Sequence, residues 1–404
     1  MKNVVITGAV RTAVGAYMGS LKTVPPEELA VPVLKEVLVR SGITPNEVEQ
    51  VIMGDVLSAE PNLARTSSLM AGYNIETPAF KVDRQCGSAM QAIINGVQAI
   101  KAGDERVIVA GGTENMSRGP YYLQPEIRYQ GFRSGDGKII DSFQYATTHS
   151  HPYKLYPNLN MGLTAENIAK QYNITREMQD QFAYESQMKY KAAAEAGKFD
   201  DEILPITVKQ GRKEFTFSVD EHPKTDTTLE SLAALKPAFL RDGTGTVTAG
   251  NSSGMNDGAS AVVLMDEDRC KELGCKPLVR ILATSSAGVD PAVMGLGPVP
   301  VIRQLLDKTG LKLEDIDLFE LNEAFAAQSL GCLIELGMGP GTELYDRVNV
   351  NGGAIAHGHA LSNSGTRILT TMIYEMKRRD AEYGIATLCC GGGQGVGILV
   401  KNCR

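Results

Sequence analysis

Hydrophobic and polar residues alternate along the chain in a pattern that occurs twice. In the first copy a helix-like run ends near Gly42 and leads into residues 42–55; in the second a similar run leads into residues 310–323. The two segments align without a gap, apolar upon apolar, at Ile43/Leu311, Val48/Ile316, Val51/Phe319 and Met53/Leu321. Duplication is the economical explanation of this repeat.

Each copy continues with the same elements. A small-residue turn opens a helix at 86–88 and at 364–366, and a strand ending in glycines follows at 107–112 and at 385–393. Strands that alternate with helices predict an α/β fold with mixed sheets covered on both faces.

Residues 118–246 lose this pattern and read as an insertion into the first copy. The insertion has two sections rich in Tyr, Pro, Gly and Asn, a strongly helical section at 164–197 and a polar tract at 209–228. We predict three domains: 1–117 plus 247–273, the inserted 118–246, and 274–404. An insertion that lies over two core domains can form a cap over a site that binds a cofactor-sized ligand.

Composition narrows the class of protein. The chain has 404 residues and a net charge of -7, which does not suggest a nucleic-acid partner. No apolar run approaches a membrane span and the N-terminus lacks a signal-peptide core, so we expect a cytoplasmic protein without a membrane partner. Seven cysteines, an odd number without zinc spacing, indicate reduced thiols.

Cys86 lies where the strand-like Ala79–Val82 turns into a helix. A thiol at a helix N-terminus is favoured as thiolate, and the small residues 87–89 allow another molecule to approach the sulfur. The alternative is a buried structural cysteine.

Four further turns are rich in glycine or polar residues, at 251–258, 322–326, 351–365 and 389–395. All four follow strand-like segments, where open α/β sheets bind their ligands. The glycines at 391–395 lead into a strand, which excludes a dinucleotide fingerprint and suits backbone N–H groups facing a ligand oxygen.

The histidines fall into two groups. His357 and His359 lie in a glycine-rich turn where a packing role is unusual, so one of them is a candidate base for a thiol. His149, His151 and His222 are interpreted as loop residues with a possible ligand contact; His149 and His151 have metal spacing but lack an evident third ligand, and no metal site is predicted.

Cys86-Gly-Ser, Asn322-Glu-Ala-Phe, Asn351-Gly-Gly-Ala-Ile-Ala with Gly358-His359, and Cys389-x-Gly-Gly-Gly occur in this order. Together they resemble the signature motifs of the thiolases, the acyl-CoA C-acyltransferases, over essentially the whole chain. The resemblance implies duplicated core domains in five layers, αβαβα, with an inserted CoA-binding loop domain. It also implies a homodimer or homotetramer in fatty acid metabolism.

The resemblance implies roles for matching residues. Cys86 takes the acyl group, His359 activates the Cys86 thiol, and Cys389 moves the α-proton of acetyl-CoA. Asn322, through a water, and His359 bind the oxygen of the attacking thioester, while the N–H groups of Cys86 and Gly391 bind the oxyanion of the acylated cysteine. The positions lining the CoA pantetheine and acyl site are Met161, Phe239, Ser253 and Phe325. CoA and acetyl-CoA are substrates, no cofactor is permanently bound, and Cys390 is a packing residue.

Three functions remain open at this point: an acetyl-CoA C-acyltransferase with ping-pong kinetics, a decarboxylating 3-oxoacyl synthase, and a non-catalytic acyl-CoA-binding subunit. The second cysteine argues against the synthase, and the full set of catalytic residues argues against the binding subunit. The turn at 358–365 departs from the family's Gly-His-Pro pattern at Ala360, Ser362 and Asn363, and the segment from Arg133 to Asn160 is long. These departures leave the acyl specificity open.

Overall fold

The structure, a computed structural model, describes residues 2–132, 134 and 136–403. Arg133, where the long segment begins, lies outside the described residues, as do Met1, Gly135 and Arg404. The first unit comprises β1 (Val4–Thr12), β2 (Gly15–Ala16), α1 (Pro26–Ser41), β3 (Gln50–Gly54), α2 (Leu63–Met70), β4 (Ala79–Val82), α3 (Ser88–Ala102) and β5 (Val107–Asn115). The inserted segment comprises β6 (Tyr121–Leu123), α4 (Ile127–Gln130), β7 (Ile139–Asp141), α5 (Ser142–His149), α6 (Met161–Gln171), α7 (Arg176–Glu195), β8 (Ile203–Leu204), β9 (Ile206–Gln210), β10 (Lys213–Phe217) and α8 (Leu229–Ala233). The remainder comprises β11 (Asn256–Asp266), α9 (Glu267–Glu272), β12 (Val279–Gly288), α10 (Pro298–Thr309), β13 (Leu318–Leu321), α11 (Ala326–Glu335), α12 (Ala354–His357), α13 (Ser364–Arg379), β14 (Tyr383–Cys390) and β15 (Gln394–Asn402).

The strands repeat one topology in the two halves. The order β3-β5-β11-β1 in the first half matches β13-β14-β15-β12 in the second, each with a parallel pair followed by two antiparallel pairs, and β4 adds a second parallel pair beside β3. In the second half a single parallel bridge between Phe319 and Val348 takes the place of the pairing between β3 and β4. The halves join where β1 pairs β12 antiparallel over Val4–Ile6.

The repeat extends to single residues. α1 and α10 both end at a left-handed glycine, Gly42 at φ 73° and Gly310 at φ 72°, a conformation that costs glycine little. A one-turn 3₁₀ helix then precedes each next strand, at Pro45–Glu47 and Leu313–Asp315. The duplication predicted from the apolar pattern is present in the fold.

Three apolar clusters define five layers. α3 and α13 lie between the two halves of the sheet and share one buried cluster with strands from both. α1 covers the outer face of the first half, and α10 and α11 cover the outer face of the second. This arrangement confirms the predicted αβαβα architecture.

The inserted segment packs against both halves, since residues from α7 to β10 join the apolar cluster of the first half and β8 pairs with β1. The helical section predicted at 164–197 contains two helices, α6 and α7, whose apolar residues join the cluster under α11. The polar tract contributes β10, which forms a hairpin with β9. The domain limits drawn from the sequence stay a prediction. None of the described helices is both long and apolar enough to cross a lipid bilayer.

A buried ion cluster joins the insertion to the core. Arg11 of β1 donates to Glu202 at 2.7 Å and to Asp220 at 2.8 Å, and all three side chains are fully buried. Burial alone raises the pKa of Asp220, but Arg11 and His357 beside it hold that pKa well below its ordinary value. The carboxylate therefore stabilises the fold above about pH 4, its range in an unfolded chain, and this stabilisation is lost as pH falls further.

Removing one partner of this cluster should be costly. We expect Asp220→Ala to lower the free energy of unfolding by about 3–5 kcal/mol at pH 7, because Arg11 stays buried with one carboxylate lost. Denaturant unfolding measures the change. The control is Asp268→Ala, which removes the exposed partner of Lys271 and should cost under about 1 kcal/mol. Equal effects of the two substitutions would contradict the importance of the buried cluster.

Candidate active site

Cys86 lies in a strained turn immediately before α3. The preceding residue, Gln85, has φ 50°, which is uncommon for a side chain other than glycine and is typical of functional sites. The Ser88 hydroxyl holds the turn, donating to the Gln85 carbonyl at 2.6 Å and accepting from the Arg84 amide at 2.9 Å. Cys86 itself is half-buried.

The small residues beside Cys86 are explained by close packing, a reason additional to the predicted access of another molecule to the sulfur. A Cβ at Gly87 would overlap the sulfur of Cys390, and the Cβ of Ala89 lies where a Cβ on Gly112 would approach within 2.7 Å. The helix start is thus pressed against β14 and β5. Cys390 is buried in the central cluster, which supports its packing role.

The turns predicted to converge do so through backbone contacts. Met255 forms an isolated β-bridge with His359, and Ser252 forms one with Phe325. The Ser253 backbone N–H donates to the Ala324 carbonyl at 3.0 Å. The Asn256 side chain accepts from the amide of His359 at 2.9 Å. These contacts join the 251–258 turn to the turns at 322–326 and 351–365.

A cleft of about 510 Å³ lies over Cys86. It brings together seven of the nine predicted site residues: Cys86, Met161, Phe239, Ser253, Phe325, His359 and Gly391. No Lys, Arg, Asp or Glu of the described chain lines it. The walls therefore suit a ligand that is uncharged where it is enclosed.

The other two predicted residues, Cys389 and Asn322, lie buried beside the cleft rather than on its wall. Cys389 packs with Met294 and Ala324, and the cleft residues Met161 and Phe325 rest against them. The Cys86 sulfur is near enough that a negative charge on it would act on the Cys389 thiol, whose pKa is raised well above its ordinary value first by burial and then by Cys86. The structure thus brings together one sulfur from each half of the chain.

Asn322 and His359 carry polar atoms without partners. Both side-chain polar atoms of Asn322 and the Nε2 atom of His359 are buried and have no hydrogen bond among the described residues. The backbone N–H of Asn322 donates to the carbonyl of Thr387, two residues before Cys389. A buried polar group left unpaired costs about 1–3 kcal/mol, which requires an explanation such as a ligand.

Burial keeps the thiol and the imidazole neutral. It raises the pKa of Cys86 to about 11, although the amide N–H groups of Gly391 and Cys86 lower it in part. Burial, with the charge of Arg367, lowers the pKa of His359 to about 4. The backbone N–H groups at the helix start favour thiolate as expected, but loss of hydration outweighs them and the thiol stays neutral.

The remaining histidines divide differently from the prediction. His357 is fully buried, packs edge-to-face on Tyr190 and Phe199 at 4.7 and 5.0 Å, and faces Asp220 at 3.4 Å, so its role is packing after all. His149 stacks on Tyr145 at 3.8 Å, His151 is buried, and His222 packs behind Gly254. Over the described residues no His, Cys, Asp or Glu group is arranged to hold a metal ion.

Two features escaped the sequence reasoning. α5 lines the cleft through Phe143, Gln144 and Thr147, and its one signal is Asp141, which caps it by accepting from the Phe143 amide at 2.9 Å. Glu114 is buried near Cys86, accepts from Ser362, and has its pKa raised to about 8, chiefly by burial and then by Asp55. Nothing in the strand pattern distinguishes Glu114 from a solvent-facing residue.

Comparison with known proteins decides the family. Residues 4–268 match the model of the thiolase N-terminal domain, and residues 275–402 match that of the thiolase C-terminal domain. The chain belongs to the thiolase family. An acetyl-CoA acetyltransferase of Pseudomonas aeruginosa is 49% identical over 403 residues, 99% of each chain, and one of Escherichia coli is 47% identical over 407 residues, again 99% of each.

Solved thiolase structures share the fold. The Bacillus anthracis acetyl-CoA acetyltransferase superposes with a TM-score of 0.94 at 47% identity, covering 100% of this chain and 99% of that one. Human mitochondrial 3-ketoacyl-CoA thiolase in complex with CoA has a TM-score of 0.92 at 42% identity, covering 100% and 98%. The site of this thiolase therefore rests on a scaffold common to both.

The neutral thiol has a measurable consequence. Alkylation of Cys86 by iodoacetamide requires thiolate, so its rate should keep rising with pH above about 8.5, where free cysteine titrates. Rates follow from peptide mass spectrometry over a pH series, with Cys86→Ala giving the background from the other cysteines. A rate that levels off below about pH 8.5 would contradict the raised pKa of Cys86.

Proposed function

We propose that this thiolase is an acetyl-CoA C-acyltransferase that reversibly cleaves or forms a 3-oxoacyl-CoA, such as acetoacetyl-CoA or a related short-chain substrate. The observation that carries the proposal is a thiol and an imidazole with an unpaired nitrogen on the wall of one uncharged cleft, with a second thiol buried beside it. The names of the relatives, acetyl-CoA acetyltransferase and 3-ketoacyl-CoA thiolase, point to the same chemistry.

The first half-reaction transfers the acyl group to Cys86. Nε2 of His359 takes the thiol proton as the sulfur attacks the thioester carbonyl, and CoA leaves with that proton. The amide N–H groups of Cys86 and Gly391 bind the oxyanion, a role supported by their effect on the pKa of the Cys86 sulfur. Each such donor is worth about 3–4 kcal/mol.

The second half-reaction forms or breaks the carbon–carbon bond. Cys389 moves the α-proton of acetyl-CoA, and Asn322, through a water, and His359 stabilise the resulting enolate oxygen. The unpaired atoms of Asn322 and His359 support this assignment, because a ligand oxygen supplies the partner that they lack. One cysteine shared by two half-reactions gives ping-pong kinetics.

Met161, Phe239, Ser253 and Phe325 hold the pantetheine arm of CoA and the acyl group. Their position on the cleft supports this assignment. We further propose a cytoplasmic homodimer or homotetramer acting in fatty acid metabolism, with the three domains drawn above and no cofactor beyond its CoA substrates.

The two cysteines should be separable by half-reaction. Cys86→Ala should abolish thiolysis of acetoacetyl-CoA, a loss of about a thousandfold or more, because no acyl-enzyme forms. Cys389→Ala should lower thiolysis by about 10²–10⁴-fold, as expected of a lost acid–base group, yet retain exchange of labelled CoA into acetyl-CoA. Loss of the 3-oxothioester absorbance and label exchange measure the two steps.

The control is Cys270→Ala, a buried cysteine of α9 that does not line the cleft, which should keep roughly wild-type turnover. A wild-type protein that binds CoA but shows neither reaction would favour the non-catalytic subunit. Condensation that requires a decarboxylating malonyl donor would favour the 3-oxoacyl synthase. An active Cys389→Ala enzyme would contradict the assignment of Cys389.

A further inference from the structure

The two ring nitrogens of His359 have different surroundings. Nε2 is buried without a partner among the described residues, and the ring lines the cleft with Cys86. Nδ1 lies 2.7 Å from the hydroxyl oxygen of Ser364, the first residue of α13. The same hydroxyl lies 2.9 Å from the carbonyl oxygen of Ala360, one turn earlier.

A hydroxyl has one proton, so it can donate to only one of these neighbours at a time. When it donates to the Ala360 carbonyl, its oxygen accepts from Nδ1–H, and Nε2 carries a free lone pair. When it turns and donates to Nδ1, the ring proton resides on Nε2, which then becomes a donor. Rotation of one hydroxyl thus accommodates both neutral tautomers of His359.

The function proposed above requires both tautomers. As base, Nε2 accepts the proton of the Cys86 thiol while the sulfur–carbon bond forms, and the departing CoA thiolate removes that proton when its own bond to the acyl carbon breaks. In the second half-reaction Nε2–H donates to the thioester oxygen of acetyl-CoA as the α-proton leaves. Between the two steps the ring gains one proton and loses one: water that enters the cleft gives a proton to Nε2 and takes the proton from Nδ1 as the ring swings out of contact with Ser364.

We propose that Ser364 is a positioning residue that allows His359 to present Nε2 as acceptor in one half-reaction and as donor in the other. The inference rests on the proposed function and concerns a residue that never touches the substrate. The low pKa of His359 is consistent with it, because an imidazole that stays neutral changes role by moving its proton and not by gaining one.

The nearby Ser362 provides a matched control. Its hydroxyl is equally buried but bonds Glu114 at 2.6 Å and the Thr113 carbonyl at 2.7 Å instead of the imidazole. Ser364→Ala removes the partner of Nδ1, Ser364→Thr preserves a hydroxyl there, and Ser362→Ala removes a serine of the same turn without altering the surroundings of His359.

Two readouts test the proposal. We expect Ser364→Ala to lower CoA exchange into acetyl-CoA by about tenfold or more and to spare α-hydrogen exchange of acetyl-CoA, because a buried Nδ1–H would lack an acceptor and the ring proton stays on Nε2. Ser364→Thr should restore CoA exchange, and Ser362→Ala should change neither reaction. The ¹⁵N shifts of the His359 ring, assigned by their loss in His359→Asn, should be averaged between tautomers in the wild type and move to one tautomer in Ser364→Ala.

Equal loss of both exchange reactions in Ser364→Ala would overturn the two-tautomer proposal, as would unchanged ring shifts. The ¹⁵N shifts report the tautomers whether or not the protein turns over substrate. An inactive wild type with averaged shifts would therefore contradict the proposed function and leave the role of Ser364 supported.

Discussion

The whole site depends on the close contact of two turns, one from each half of the molecule. Gly87, directly after Cys86, lies so near the sulfur of Cys390 that a Cβ would overlap it. This contact presses the start of α3 against the end of β14, and it brings the amide of Gly391 to the sulfur of Cys86. The pairing of β1 with β12 and the central layer of α3 and α13 hold the two turns in register.

Burial decides the chemistry at this contact. Removing water from Cys86 and His359 disfavours both thiolate and imidazolium, so the resting pair is neutral and charge develops only as the reaction proceeds. The donors that we propose for this charge are held in place by the fold: backbone amides at two turns, and the unpaired polar atoms of Asn322 and His359. Preorganised donors in a site free of charged walls are more effective than the same groups in water.

Much of this was predictable from sequence because it follows local rules. The repeat was visible from apolar positions at fixed spacing, the start of α3 from the change in periodicity after Val82, and the convergence of the turns from their places after strands. The resemblance to thiolases then marked residues 86, 322, 359 and 389 together.

The rest depends on long-range packing that local patterns do not record. His357 and His359 are two residues apart in one turn, yet one is enclosed by Tyr190, Phe199 and Asp220 from the insertion while the other faces the cleft. The pKa of Cys86 follows the same logic, since helix position is local but loss of hydration depends on everything packed around the sulfur. Glu114 and α5 were missed because their partners lie far away in the chain.

A crystal structure of the protein with CoA tests the central claim most directly. The account predicts that the CoA sulfur occupies the cleft within about 3–4 Å of the Cys86 sulfur, with the Cys389 sulfur and Nε2 of His359 facing the same point. CoA bound with its sulfur elsewhere, or a Cys389 sulfur turned away from Cys86, would contradict it.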